Sequence, residues 1–137
     1  SGGTVWLDPA IRSTYFARAT LPSLAKQYAR YGFWKVRMLR RYPETIRLRQ
    51  AIPPVFVLSL LTLAVLAVWL PLVGWLLGLE VVLYGLALMA VGIQTAVNRR
   101  SFSLLFGVPL AIITMHFFWG GAFLWSIVQF KAKTTVR

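Results

Sequence analysis

Between Ala51 and Val128 the chain carries one acid, Glu80, and its only Lys or Arg residues are the adjacent pair Arg99 and Arg100. A stretch this poor in charge cannot supply the wet surface of a soluble domain. About 20 apolar residues cross a hydrocarbon core about 30 Å thick, and the sequence offers segments of that kind at about 54–71, 73–97 and 104–128. The first is short unless it borrows from the uncharged turn "LPLVG", and Pro53 and Pro54 fall near its first turn. Charged residues make up 13% of the chain, about half the ordinary share. The expected fold class is therefore mainly α and membrane-embedded, with about three transmembrane helices.

The charge is unevenly placed. Residues 1–50 hold ten of the 15 basic residues and two of the three acids, Asp8 and Glu44. A basic head before an apolar body reads as cytoplasmic and juxtamembrane. On that rule "LPLVG" lies outside and Arg99-Arg100 inside. Three spans then carry the basic tail "QFKAKTTVR" outward, against the same rule. Either a short tail is tolerated or the third segment is re-entrant. A net charge of +12 also fits nucleic acid, but a basic face beside a membrane is explained by anionic lipids, so no nucleic-acid partner is expected. With no cysteine, disulfides and thiolate metal sites are excluded.

Three regions follow. Residues 1–19 look like the interior of a longer protein, cut before a strand: "TVWL" at 4–7 has the β-branched and aromatic make-up of a short strand, and Asp8 before Pro9 forms a turn. Residues 20–50 form an amphipathic interfacial helix and a basic linker. Thr20 caps the helix, Pro22 is tolerated in its first turn, and Pro43 ends it. At 100° per residue, Leu24, Tyr28, Tyr31, Met38, Leu39 and Tyr42 share one face, with Lys35 intruding. Lys26, Arg30, Arg37, Arg40 and Arg41 share the other. Gly32 is a candidate kink. Residues 51–137 are the transmembrane region.

"KQYARYGFWK" carries the chemistry of this helix. Gln27 and Arg30 are three apart and hence neighbours on a helix, and Tyr31 follows. A guanidinium grips phosphate oxygens as a fork, an amide bonds hydroxyls, and a ring stacks on a pyranose face. On the residues alone, lipid headgroups are the simpler partner for Arg30. Glu80 is a functional candidate by location, but it reads as near enough to the outer end of its span to reach water. His116, without a second His or any Cys, reads as an interhelical hydrogen-bonding group rather than a metal ligand or proton relay. Gly85, Gly92, Gly120 and Gly121 read as sites of close helix approach.

"QYARY" resembles the Gln-x-x-Arg-Trp motif of membrane-bound family 2 glycosyltransferases, with Tyr31 where the motif has Trp. The longer run "WLDPAIRSTYFARATLPSLAKQYARYGFWKVRMLRRYPETIRLRQAIPP" resembles bacterial members of the succinoglycan biosynthesis type, and "MHFFWGGAFLWSIV" resembles their last membrane segment. The resemblance spans nearly the whole chain. It implies that Gln27, Arg30 and Tyr31 stand at the cytoplasmic mouth of an active site, near a nucleotide diphosphate or an acceptor, with Trp34 and Lys35 in support at the interface. It implies sugar transfer, with inversion, from a nucleotide-sugar to a lipid-linked or growing glycan acceptor in exopolysaccharide or cell-envelope synthesis. The Trp form of the motif goes with processive synthesis, so the Tyr form does not carry that implication.

The resemblance also implies that residues 1–19 are the C-terminal edge, a short strand and loop remnant, of an upstream catalytic α/β nucleotide-sugar transferase domain, to which the family's Asp-x-Asp motif, which holds Mg²⁺ or Mn²⁺, and its general base belong. Asp8 is the only Asp here, so no cofactor and no catalytic carboxylate are expected in this chain. The competing reading is a non-enzymatic membrane protein whose basic helix binds anionic lipids or a partner protein.

Overall fold

The structure, a computed structural model, describes residues 4, 6, 8, 10–12, 14, 18–45 and 47–134, with the backbone alone over 130–134. Four helices follow one another: α1 (Leu21–Arg41), α2 (Leu48–Ala67), α3 (Pro71–Arg99) and α4 (Leu104–Thr134). A single 3₁₀ turn, Pro43–Thr45, joins α1 to α2. The last three helices are long and apolar enough to cross a membrane.

The helix ends follow local chemistry. The Thr20 hydroxyl accepts from the Ser23 amide (3.4 Å), and Pro22 lies in the first turn, where a missing N–H costs nothing. α1 stops at Arg41, ahead of Pro43. α3 closes through Arg100 in the left-handed conformation (φ 49°), which lets the Ser101 amide reach the Ala96 carbonyl at 3.0 Å. Asp8 is the expected turn-former: its Oδ1 accepts from the Ala10 amide at 2.9 Å.

The strand expected at 4–7 is not shown, and further expectations are corrected. Among the described residues there is no strand: Thr4 and Trp6 have no regular structure, and Val5 and Leu7 lie outside the described residues. A strand needs a paired neighbour, and no described segment offers one. Gly32 does not interrupt α1, which runs unbroken for 21 residues. α2 begins at Leu48, so Pro53 and Pro54 lie well inside the helix rather than at its start. α4 is continuous over 31 residues, with Pro109 inside it, so it lacks the central break of a re-entrant loop.

The prolines have a structural consequence. Each removes the N–H that would bond the carbonyl four residues back. Pro54 frees the Gln50 carbonyl, and the Trp119 indole N–H fills the vacancy at 3.2 Å. Pro109 frees the Leu105 carbonyl, which lies against Gly92: a Cβ there would stand 2.6 Å from that oxygen. Gly120 takes the backbone of α2 as closely, since its Cβ would stand 2.5 Å from the Pro53 carbonyl oxygen and 2.8 Å from Val57 Cγ2. Gly85 and Gly121, expected to pack in the same way, have nothing within 4 Å.

Within the apolar bundle, polar side chains meet in pairs. Tyr84 of α3 and His116 of α4 hydrogen-bond through the phenol and Nδ1 at 3.0 Å, the interhelical role expected of His116. Ser59 of α2 donates to Glu80 of α3 at 2.5 Å. Glu80 is the tenth residue of α3, about 13 Å along the helix from its first residue. Its carboxylate is thus engaged by Ser59 of the neighbouring helix.

Candidate functional site

α1 lies along the second half of α4. Its buried residues are Ala25, Gly32 and Val36, spaced 7 and 4 apart on one stripe. The Trp119 carbonyl of α4 lies against the Gly32 Cα. Farther along, the fully buried Ser126 donates to the Phe33 carbonyl at 3.1 Å. The buried stripe is thus rotated from the expected apolar face. Tyr31, Met38 and Tyr42, assigned to that face, are 50%, 41% and 49% exposed. Close helix approach selects small side chains at the contact, so Gly32 meets the backbone of α4 while Tyr31, Met38 and Tyr42 are turned outward.

That rotation builds the site. Gln27, Arg30 and Tyr31 line a single cleft of about 300 Å³ together with Arg18, Ser23 and Lys26. Arg18 Nε donates to Gln27 Oε1 at 3.0 Å, and Gln27 Nε2 donates to the Tyr31 hydroxyl at 2.7 Å. The amide is therefore fixed at both ends, and its orientation is set by Arg18. Lys26 and Arg30 have no ionic partner among the described residues. Three cations, a locked amide and a phenol around one opening suit an anion carrying several oxygens.

Trp34 and Lys35 do not line this cleft. They border a neighbouring apolar groove of about 620 Å³ with Tyr31, Met38, Arg41, Tyr42 and Trp119. Trp34 is 58% exposed, and the Arg37 guanidinium stacks on its ring (4.6 Å) and on that of Phe33 (4.5 Å). Lys35 Nζ donates to the Thr45 carbonyl at 3.0 Å, which ties the 3₁₀ turn back to α1. A third opening of about 430 Å³ lies between α1, α2 and α4, walled by Tyr28, Tyr31 and Trp119 and reached by Arg49 and His116. Tyr31 borders all three spaces.

The sequence reading missed Arg18, Trp119 and Ser126 as site-building residues. Arg18 lies nine residues before Gln27, outside any helical spacing. Trp119 and Ser126 act through backbone carbonyls of other helices, which leave no mark in a motif. Among the described residues no group of three His, Asp or Glu side chains stands together to hold a metal ion, so no metal step is built on this chain. Comparison of the chain with protein-family models, curated proteins and solved structures returns no match.

Proposed function

We propose that this chain is the membrane-anchoring, acceptor-side part of a family 2 glycosyltransferase, which moves sugar from a nucleotide-sugar to a lipid-linked or growing glycan acceptor at the cytoplasmic face of the bacterial inner membrane. The observation that carries the reading is the convergence of Gln27, Arg30 and Tyr31, the three positions matched to the family motif, on one cationic cleft. In this reading Arg18, Lys26 and Arg30 neutralise the diphosphate of the donor. Charge that grows on the leaving phosphate during transfer is where fixed cations act most strongly. The Gln27 amide, oriented by Arg18 and Tyr31, meets a hydroxyl or phosphate oxygen. The Asp-x-Asp motif, its Mg²⁺ or Mn²⁺ and the general base are assigned to an upstream domain of the parent protein.

The outward face of α1 serves the same reading. Trp34, Met38 and Tyr42 are exposed beside Arg37 and Arg41, the make-up of a helix lying in the headgroup region of an anionic membrane. That face is equally the basis of the alternative, a lipid-binding membrane protein without enzymatic activity.

The test is transfer of labelled sugar from a panel of nucleotide-sugars into membrane lipid, using vesicles that hold the complete gene product. Arg30→Ala is expected to lower transfer at least about a hundredfold, in the range seen when one positioned charge is removed from an active site. No transfer from any donor, with binding to anionic vesicles retained, supports the alternative.

A further inference from the structure

The opening between α1, α2 and α4 has features that simple helix packing does not require. Its aromatic walls, Tyr28, Tyr31 and Trp119, come from two helices, and the Tyr28 and Trp119 rings meet edge to face with centroids 6.5 Å apart. Arg49 reaches it and has no hydrogen-bond or ionic partner among the described residues. His116 lines it as well. With Nδ1 engaged by the Tyr84 hydroxyl at 3.0 Å, the ring is held in one orientation and Nε2 is the nitrogen left for a ligand. The volume, about 430 Å³, falls within the range of small-molecule sites.

We propose that this chamber is a second binding site, built for a sugar ring that carries a phosphate. A pyranose presents apolar C–H faces and a rim of hydroxyls. The rings of Tyr28, Tyr31 and Trp119 suit the faces, His116 suits a hydroxyl, and Arg49 suits the phosphate. An acyl chain would leave Arg49 and His116 unused, and a bare phosphate would leave the three rings unused. The inference rests on the reading above in one respect: Tyr31 is the wall shared with the cationic cleft, so the bound sugar lies beside the donor diphosphate, where an acceptor belongs. Tyr84 then acts as a positioning residue through His116.

His116 is the only histidine in the chain and so reports on the chamber directly. The purified protein in detergent micelles is treated with diethyl pyrocarbonate, and carbethoxylation of the His116 peptide is followed by mass spectrometry with glucose 1-phosphate, glucose or inorganic phosphate present. Glucose 1-phosphate is expected to protect His116, with glucose and phosphate much weaker. Arg49→Gln should weaken that protection about tenfold or more, as expected for loss of one charge-assisted hydrogen bond, whereas Arg30→Ala leaves it unchanged. Tyr84→Phe frees the imidazole and should raise its basal reaction rate while weakening protection. The proposal is overturned if His116 does not react, if none of the three compounds protects, if phosphate alone protects as well as the sugar phosphate, or if Arg49→Gln protects like the parent. The readout involves no sugar transfer. Protection without transfer by the complete gene product therefore sinks only the transferase reading, and Arg30-dependent transfer without protection sinks only this one.

Discussion

The Trp119 indole donates to the Gln50 carbonyl across 3.2 Å, the carbonyl that Pro54 leaves without a helical donor. One residue of α4 thus satisfies a freed backbone carbonyl of α2, while its own carbonyl lies against Gly32 of α1. The three helices that enclose the proposed sugar chamber meet at this residue.

Trp119→Phe keeps a ring but removes the donor. An unsatisfied carbonyl away from water costs about 1–3 kcal/mol, and unfolding in detergent should register a loss of that order. Pro54→Ala restores the helical N–H to Gln50, so Trp119→Phe should cost clearly less in that background. Equal costs in both backgrounds would show that the indole bond does not serve the role assigned here.

The glycines should separate into two groups. Gly32→Ala and Gly120→Ala force a methyl group into a backbone carbonyl of the neighbouring helix and should destabilise by about 1–3 kcal/mol, the usual cost of overpacking. Gly85→Ala and Gly121→Ala meet open space and should be neutral or stabilising by up to about 1 kcal/mol, because alanine is the better helix former. Thermal unfolding of the four variants settles the order.

Ser59→Ala removes the partner of Glu80. Hydrogen bonds between membrane helices average about 0.6 kcal/mol with a maximum near 1.7, and a loss within that range is expected, since the Ser59 hydroxyl is also placed to donate to the Phe56 carbonyl. Glu80→Gln retains an acceptor for Ser59 and should be tolerated better than Glu80→Leu. A serine variant as stable as the parent would argue that the pair is incidental.

Tyr31→Phe keeps the ring but deletes the hydroxyl that accepts from Gln27 at 2.7 Å. The amide is then held only by Arg18. In the transfer assay the expected loss is about tenfold, and Gln27→Ala should add little to it, because both changes undo one arrangement. Tyr31→Trp, which places there the aromatic residue of the Gln-x-x-Arg-Trp motif, also lacks the phenol and should not recover full transfer. Independent, multiplying losses would mean that Gln27 and Tyr31 act separately.

Absence of cysteine makes topology directly measurable. Single cysteines at Ser23 and Ser101 should react with an impermeant maleimide from one side of the membrane, and one at Leu70 from the other, because two spans separate Ser23 from Ser101 and one separates each from Leu70.

The sequence alone determined what local chemistry and composition control. It set three helices long and apolar enough to cross a membrane, a basic helix begun by Thr20 and stopped before Pro43, the Asp8 turn, and an interhelical role for His116. Gln27, Arg30 and Tyr31 were legible as neighbours because helical spacing brings them together whatever surrounds the helix. Only the tertiary structure decided which stripe of α1 faces α4, which glycines are close-packed, that Glu80 is held by Ser59, and that Arg18, Trp119 and Ser126 build the site. The strand expected at 4–7 also depended on a neighbour, and no described segment provides one. The physical reason is common to these cases. Lipid is as apolar as a helix interface, so hydropathy cannot say which apolar face meets protein and which meets lipid. That choice is made by steric fit and by freed backbone carbonyls, whose partners lie far away in the chain.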